Sequence, residues 1–280
     1  MDRPRISLVT PSFNQAAFLE QTLRSVLLQR DRIHEYHVID GGSTDGSVDV
    51  IRRYAAFLDS WVSEPDNGQC DAIDKGFSRC SGDVLFWINS DDLLLPGAID
   101  TVSACFQQHP QADVVTGYAA AIDDDSRVVY ARRRPHDRPF WAKLGYTRVL
   151  QPATFFTRAI YERVGGLDHN IDCVLDRDLW YRMFDAGACW RHTRQYLAAF
   201  RLHQAAKGSR LKRLYRREQA MLRQRYPHYS GGLVRRAAGK VCYKTSQILT
   251  GRALLALRDH RRIAAQIESM LHAPLAVPQE

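Results

Sequence analysis

The chain has 280 residues, of which 45% are hydrophobic and 25% are charged, as is typical of a globular protein. It contains no run of about 18 uninterrupted apolar residues, so the sequence does not predict a membrane-spanning helix. Its six cysteines form no C-x-x-C pair, and the N-terminus leads into a predicted strand without the pattern of a signal peptide. These features favour a cytoplasmic protein with reduced thiols.

Charge is distributed unevenly along the chain. The net charge is +8, but residues 201–280 carry 17 Lys and Arg against 4 Asp and Glu, which leaves residues 1–200 with 22 against 27. A basic tail on an acidic domain favours contact with an anionic surface, such as membrane lipid or nucleic acid. Nucleic acid is the less favoured partner, because the tail lacks interleaved aromatic residues and any recognisable nucleic-acid-binding module.

Strand and helix patterns alternate three times before residue 80. Each short apolar run is followed by a turn and then by apolar residues at helical spacing, and the strands are predicted at 6–10, 36–40 and 60–63. A fourth buried strand is predicted at 83–88. This alternation indicates the α/β class with a largely parallel sheet, in which ligands bind beyond the carboxyl ends of the strands.

An acidic segment, Asn89-Ser90-Asp91-Asp92, follows the fourth predicted strand directly. Adjacent carboxylates repel each other unless a cation lies beside them, and hard oxygen ligands suit Mg²⁺ or Mn²⁺ held partly by substrate phosphates. Alternatively, one aspartate caps the helix predicted to begin at Pro96 and the other is solvated.

The middle of the chain is predicted to hold a helix at 98–106 and strands at 113–116, 118–122 and 127–130. The acid triplet at 123–125 lies between two short strands, which favours a solvated hairpin loop over a metal site. The basic run at 132–134 is interpreted as an exposed linker.

Four segments in the first half resemble, in order and spacing, the family 2 glycosyltransferases of the GT-A fold: Thr10–Asn14, Ile39–Gly46, Glu64–Gln69 with Asp71, and Asn89–Asp92. The resemblance continues to about residue 210. It implies a Rossmann-like, mostly parallel sheet flanked by helices, with a helical C-terminal extension. It also implies transfer of a sugar from a nucleoside-diphosphate donor to an acceptor hydroxyl, with inversion and with Mg²⁺ or Mn²⁺.

The same resemblance implies roles for residues of the first half. Asp92 is implied as the direct metal ligand, and Asp91 as a contact of the ribose or the metal shell. Ser90 stands where the literal DXD motif has its first aspartate. For Asp40, organisation of its glycine turn remains an equal alternative. The residues implied to bind the nucleotide are Thr10, Pro11, Ser12, Phe13, Asp40, Gly68, Asp71, Lys75 and Asp91.

In the second half, the resemblance implies that Asp176 is the catalytic base and that Gln151 lies near the acceptor pocket. Leu175 replaces the usual Glu, which leaves Asp178 open as an alternative base; Asp178 is otherwise expected to brace its helix or bind the acceptor. An inverting transfer needs such a carboxylate to take the proton of the attacking hydroxyl. His203 is a candidate metal ligand and Lys207 a candidate diphosphate contact.

The tail after residue 210 is predicted to contain two helices, the second of them amphipathic and basic, with Arg236, Lys240 and Lys244 on its polar side. Its apolar stripe either packs on the catalytic domain or docks on a membrane, and the two roles can coexist. The predicted division is a glycosyltransferase domain at 1–210, with a nucleotide half at 1–95 and an acceptor half at 96–210, followed by the extension at 211–280.

We therefore predict a glycosyltransferase of bacterial surface polysaccharide or glycolipid assembly, with a glycan or lipid-linked acceptor, placed in the cytoplasm or on the inner face of the plasma membrane. A sugar nucleotidyltransferase is the alternative enzyme, although no glycine-rich basic phosphate loop follows the first strand. A catalytically degenerate scaffold of a polysaccharide-assembly complex is the non-enzymatic alternative. The retained carboxylates disfavour it: Asp40, Asp91, Asp92 and Asp176.

Overall fold

The computed structural model describes residues 3–131, 133, 143, 149–204, 211–230 and 252–275. Within these residues, nine strands form one sheet. In chain order they are β1 Ile6–Ser12, β2 Glu35–Asp40, β3 Ser60–Ser63, β4 Val84–Trp87, β5 Leu93–Leu94, β6 Val114–Ile122, β7 Val128–Ala131, β8 Thr154–Thr157 and β9 Trp190–Arg201. The helices are α1 Ala16–Leu27, α2 Ser47–Tyr54, α3 Gln69–Arg79, α4 Ala98–Gln108, α5 Arg158–Arg163, α6 Leu175–Asp185, α7 Lys212–Arg225, α8 Pro227–Ser230 and α9 Arg252–His272.

The first half of the sheet is parallel, as predicted. β1 pairs with β2 and with β4, and β2 pairs with β3, all in parallel. Every residue of β1 is buried, as expected for a strand covered on both faces. The carboxyl ends of β1, β2 and β4 therefore meet at one edge of the sheet, where Ser12, Asp40 and the acidic segment lie.

The second half of the sheet is mixed. β8 joins β4 to β6 through antiparallel pairs, β6 pairs in parallel with β9, and the hairpin β6–β7 and the pair β5–β9 are antiparallel. The two strands predicted at 113–116 and 118–122 are one strand, β6. Its pairing with β9 shifts around Gly117, where a Cβ atom would lie 2.4 Å from Cγ of Leu197. Only glycine allows this close approach without movement.

The hydrophobic core lies on both faces of the sheet. On one face, Leu8 and Phe86 pack with residues of α1, α2 and α4. On the other face, Val9 and Trp87 pack with residues of α3 and α6. Successive strand residues point to opposite faces, so each buried strand supplies apolar side chains to both layers.

The described C-terminal helices pack against the sheet domain. Tyr226 and Tyr229, at the end of α7 and in α8, join the core on the α6 face. Ile263 and Ile267 of α9 are fully or almost fully buried against residues of β5, β6 and β9. The predicted basic helix with Arg236, Lys240 and Lys244 lies outside the described residues.

Among the helices that the structure describes, none combines the length and apolar character that a membrane crossing requires.

Candidate functional site

The two carboxylates of the acidic segment lie in different environments. Asp92 is 4% exposed, and its carboxylate accepts from the backbone N–H of Arg201 at 3.0 Å and from Nδ2 of Asn89 at 3.2 Å. The side chain of Asp91 is 18% exposed. Burial, and then the charge of Asp91, raise the pKa of Asp92 well above its ordinary value. The loop therefore concentrates negative charge that a cation would relieve.

His203 lies beside the more accessible carboxylate. Its Nε2 is 2.9 Å from Oδ2 of Asp91, and its ring packs edge-on against Phe18 with the ring centroids 4.7 Å apart. Nδ1 of His203 is buried and has no hydrogen-bond partner among the described residues. A carboxylate oxygen and an imidazole nitrogen are a donor set that fits Mn²⁺ and is compatible with Mg²⁺.

Asn89 connects the acidic segment to two neighbouring elements. Its Oδ1 accepts from Nε2 of Gln69 at 2.8 Å, and its Nδ2 lies 3.2 Å both from Oδ2 of Asp92 and from Oε1 of Gln151. Gln151 in turn donates from Nε2 to the carbonyl oxygen of Trp87 at 2.6 Å. Gln151 is 8% exposed, so it fixes the loop after β4 and is not available as the acceptor contact that the resemblance implied.

The predicted nucleotide-binding segment after β1 divides into a buried part and an exposed end. Thr10 is fully buried, and its hydroxyl lies 2.8 Å from the hydroxyl of Tyr36. Pro11 and Ser12 are also buried, whereas the side chain of Phe13 is 54% exposed. Phe13 is therefore the member of this segment that offers an aromatic surface at the sheet edge.

The carboxylate of Asp40 accepts hydrogen bonds from its own turn. Its two carboxylate oxygens accept from the backbone N–H groups of Gly42 and Ser43, from the Ser43 hydroxyl and from the Ser63 hydroxyl, at 2.6 to 3.1 Å. Oδ2 accepts three of these bonds and Oδ1 accepts one, so most of the carboxylate's acceptor positions, about four, are used within the turn. This arrangement is the one expected where Asp40 organises the turn and holds it against β3.

A second loop, before α3, lies against the turn that holds Asp40. Gly68 has a φ of +103°, in the region that favours glycine, and its N–H donates to Oδ1 of Asp66 at 2.8 Å. Lys75 lies 3.2 Å from Glu64 and 3.4 Å from Asp71. A hydrogen bond from the Asn67 backbone holds the pKa of Asp71 below its usual range. Gly68, Asp71 and Lys75 thus lie together at the start of α3.

Asp176 and Asp178 have distinct surroundings at the start of α6. Asp178 is fully buried and accepts from Arg182 at 2.8 Å, from Arg225 at 3.0 Å and from the Tyr226 hydroxyl at 2.8 Å. These contacts connect α6 to α7. They favour the expectation that Asp178 braces its helix over its alternative roles as base or acceptor contact.

Asp176 retains an available carboxylate oxygen. Oδ1 accepts from the N–H of Arg177 at 2.7 Å, and burial raises the pKa of Asp176 above its ordinary value. The segment before α6 borders the loop of Gly68: the thiol of Cys70 is 3.3 Å from the carbonyl oxygen of Ile171. The helix that carries Asp176 therefore starts beside the loop connected to Asn89 through Gln69.

Two residues important to the site geometry were not predicted from sequence. Arg201 donates to the carbonyl oxygens of Asp91, Asp123 and Asp124, and Gln69 donates to Asn89. The sequence signal for Arg201 was its position at the end of a predicted strand, two residues before His203. The triplet at 123–125 is a hairpin turn, as expected. Lys207 lies outside the described residues.

One known protein family matches this chain over the segments described above. A family model described as glycosyl transferase family 2 matches residues 7–164, more than half of the chain. The chain belongs to glycosyl transferase family 2. The matched range includes β1, the Asp40 turn, the Gly68 loop and the acidic segment, so the predicted family is confirmed on the residues that suggested it.

Several curated proteins are similar to this glycosyltransferase. An uncharacterized glycosyltransferase of Mycobacterium tuberculosis is 31% identical over 185 residues, covering 64% of this chain and 68% of the relative. A PGL/p-HBAD biosynthesis glycosyltransferase of Mycobacterium bovis is 26% identical over 188 residues, covering 66% and 71%. The O-antigen biosynthesis protein RfbC of Myxococcus xanthus is 29% identical over 217 residues, which are 74% of this chain and 16% of RfbC.

Solved structures share the fold. The mannosyltransferase PcManGT of Pyrobaculum calidifontis, solved with GDP-Man and Mn²⁺, has a TM-score of 0.59 at 19% identity and covers 97% of this chain and 86% of its own. S. aureus TarS 1–349, solved with UDP-GlcNAc, has a TM-score of 0.59 at 14% identity, and this chain spans 59% of its length. At these identities the likeness shows the fold alone, and the predicted GT-A fold is confirmed.

Proposed function

We propose that this family 2 glycosyltransferase moves a sugar from a nucleoside-diphosphate donor to an acceptor hydroxyl, with inversion at the transferred carbon. The observation that carries the proposal is the Asp91–His203 pair at the carboxyl edge of the parallel sheet, next to the buried carboxylate of Asp92. Family membership argues against the alternative of a sugar nucleotidyltransferase. The donor half is residues 1–95 and the acceptor half 96–210.

Asp91 and His203 are the residues that would hold a divalent cation, Mg²⁺ or Mn²⁺. We assign the direct contact to Asp91 and a positioning role to Asp92, the reverse of the order implied by the resemblance, because Asp92 is buried and already accepts from Arg201 and Asn89. When bound, the cation would neutralise charge on the leaving diphosphate. Lys207, outside the described residues, is retained as the proposed point charge for the diphosphate.

Asp176 is the proposed base. An inverting transfer requires a carboxylate that takes the proton of the attacking hydroxyl as the new bond forms. Since Asp178 is saturated by Arg182, Arg225 and Tyr226, Asp176 is the carboxylate of this helix start that can do so. Burial raises its pKa and thereby its strength as a base near neutral pH.

The donor contacts proposed from the resemblance are retained where the structure leaves atoms available. Phe13 offers its exposed ring to a base or ribose. Gly68, Asp71 and Lys75 surround the loop before α3. Asp40 contributes indirectly, because its hydrogen bonds to Gly42 and Ser43 fix the shape of the neighbouring turn.

The proposed acceptor is a glycan or lipid-linked intermediate of bacterial surface polysaccharide or glycolipid assembly. Support comes from the names of two relatives, one of O-antigen biosynthesis and one of PGL/p-HBAD biosynthesis. The basic tail supports work at the inner face of the membrane. We therefore expect that replacing Arg236, Lys240 and Lys244 together with Gln lowers binding to vesicles of anionic lipid and leaves binding to neutral vesicles unchanged. If both forms of the protein bind anionic vesicles equally, the proposed membrane association is contradicted and the proposed sugar transfer is not.

The donor proposal is tested by calorimetric titration of UDP, GDP and dTDP into the full chain, with Mn²⁺ and with EDTA. One nucleotide is expected to bind with Mn²⁺ and to bind far more weakly in EDTA and in Asp91→Asn. Asp125→Asn is the matched control, because that exposed carboxylate lies in the nearby hairpin turn. If no nucleotide binds under any condition, the domain is a degenerate scaffold and the proposed transfer is excluded.

A further inference from the structure

A second cluster of metal-binding side chains lies at the opposite edge of the sheet. Glu35, His37 and Cys80 each place one ligand atom within 4.8 Å of the others. Glu35 and His37 are on β2 near its amino end, and Cys80 follows the last residue of α3. The acidic segment lies at the carboxyl ends of the same strands, so this Glu35–His37–Cys80 cluster is separate from the proposed donor site.

The histidine of this cluster has a nitrogen aimed into it. The side chain of His37 is 6% exposed, and Nδ1 lies 2.8 Å from the hydroxyl of Ser60. Nε2 is buried and has no hydrogen-bond partner among the described residues. A hydrogen on Nδ1 that donates to Ser60 leaves the lone pair of Nε2 directed at the cluster. Metal-bound histidines are oriented in this way by a partner on the other nitrogen.

The carboxylate of Glu35 is fixed with one oxygen facing the cluster. The Ser7 hydroxyl and the backbone N–H groups of Ser81 and Gly82 all donate to Oε1. The other oxygen, Oε2, accepts from the Ser81 hydroxyl at 3.3 Å and lies 3.6 Å from Nε2 of His37, too far for a hydrogen bond to that nitrogen. The buried Nε2 of His37 thus lies near the half-buried Glu35 carboxylate without a hydrogen bond, and a cation between them would give this nitrogen a partner.

We infer that Glu35, His37 and Cys80 bind a thiophilic divalent cation of the Zn²⁺ class. One sulfur, one nitrogen and one oxygen ligand suit Zn²⁺, whereas Mg²⁺ and Mn²⁺ prefer oxygen. Metal–ligand bonds of about 2.0 to 2.3 Å place the ligand atoms of a tetrahedral site roughly 3.3 to 3.8 Å apart. The three ligand atoms lie within 4.8 Å of one another, so side-chain movements of about 1 Å bring them to these distances. The thiol of Cys80 loses its proton to solvent on binding. The exposed Ser81 borders the open fourth position.

Such a cation would join β2 to the turn between α3 and β4. Cys80 and Glu35 are 45 positions apart in the chain, and the turn is otherwise connected to Glu35 through the hydrogen bonds from Ser81 and Gly82. A metal that binds only the folded chain stabilises it by mass action. The site therefore serves stability of the donor-binding half and takes no part in the proposed transfer.

The test is a titration of Co²⁺ into the full chain, reduced and freed of metal, with excess Mg²⁺ to saturate the donor site. Wild type is expected to develop a thiolate-to-cobalt charge-transfer band with a stoichiometry of one, which Zn²⁺ abolishes. Cys80→Ser should lose the band, and Ser60→Ala should weaken Co²⁺ binding about 10- to 100-fold. Cys105→Ser, which changes a cysteine of α4, is the matched control and should retain it.

Two results would overturn the inference. One is a wild-type chain without the charge-transfer band; the other is a band that survives in Cys80→Ser. Far-UV circular dichroism shows whether each variant is folded, and His37→Gln provides a second variant if Cys80→Ser is not. As an independent readout, Zn²⁺ should raise the melting temperature of wild type and of Cys105→Ser and leave that of Cys80→Ser unchanged.

Discussion

The backbone N–H of Arg201 donates to Oδ1 of Asp92 at 3.0 Å, which ties the end of β9 to a loop 109 residues earlier in the chain. The Arg201 guanidinium also donates to the carbonyl oxygens of Asp91 and Asp123 and lies 4.6 Å from the ring centroid of Phe18. The buried Arg201 guanidinium thus lies next to the backbone of the acidic segment, and His203 contacts the carboxylate of Asp91.

Arg201→Met should destabilise the protein strongly. The substitution keeps most of the side-chain volume and the backbone N–H that donates to Asp92, but it removes the charge beside the acidic segment and the donors to the carbonyl oxygens of Asp91, Asp123 and Asp124. Removing one partner of a buried charge network costs about 3 to 5 kcal/mol. The free energy of unfolding, measured in urea, should fall by that amount. Arg52→Met, at a side chain that is 64% exposed, should change it by less than about 0.5 kcal/mol; equal effects would contradict the role of Arg201.

The first half of the fold could be predicted because each of its elements carries a local signal. β4 is an uninterrupted apolar run, β1 begins with Ile6, Leu8 and Val9, and helices of recognisable periodicity separate the parallel strands. The second half could not be predicted in the same way. β6 pairs with β9, whose matched residues lie more than 70 positions later, and no local pattern records that register. The single strand β6 was therefore predicted as two.

The same difference between local signals and distant contacts applies to the candidate site. Its location at the sheet edge followed from strand ends, but the roles of individual carboxylates depended on distant partners. Asp178 accepts from Arg225, 47 residues away, and Asp92 accepts from the backbone N–H of Arg201, 109 residues away. Asp176 and Asp178 are equivalent in sequence, since both lie in the first turn of a helix. Only the tertiary contacts separate a bracing carboxylate from an available one.

Asn89→Ala should weaken binding of Mn²⁺ and leave the fold intact. Asn89 contacts Gln69, Asp92 and Gln151, so its loss frees the acidic loop. Residues that orient metal ligands typically contribute about 10- to 100-fold to metal affinity. Titration followed by electron paramagnetic resonance of Mn²⁺ measures the change. Asn170→Ala, at a residue that bonds only within its own turn, should leave the affinity unchanged.

Asp178→Asn should lower stability and leave the chemical step nearly unchanged. The variant loses the charge that Arg182 and Arg225 share, and breaking such a buried arrangement costs about 3 kcal/mol. Asp185→Asn is the matched control on the same helix, because Asp185 also contacts the α8 segment through His228 and is 43% exposed. Its expected cost is below about 1 kcal/mol. A large loss of turnover in folded Asp178→Asn would restore Asp178 as a candidate base.

Asp176→Asn should lower turnover and leave stability unchanged. General-base catalysis contributes typically about 10²- to 10⁴-fold, so turnover should fall by that factor while KM for the donor changes little. The amide preserves shape and removes a partly buried charge, so the melting temperature should not fall. Single-turnover transfer with the cognate donor provides the measurement. Full activity in Asp176→Asn would exclude it as the base.

The raised pKa of Asp176 also predicts how stability and turnover depend on pH. Because burial raises this pKa in the folded protein, the folded state holds the proton more tightly than the unfolded chain, whose pKa is near 3.9. As pH rises from that value through the folded pKa, wild type should lose stability relative to Asp176→Asn. Turnover of wild type should rise over the upper part of the same window, because the base must be ionised to accept a proton. Urea unfolding of both proteins across this range, with Asp125→Asn as an exposed control, tests the sign: a stability difference that does not vary with pH would show that Asp176 is solvated in solution.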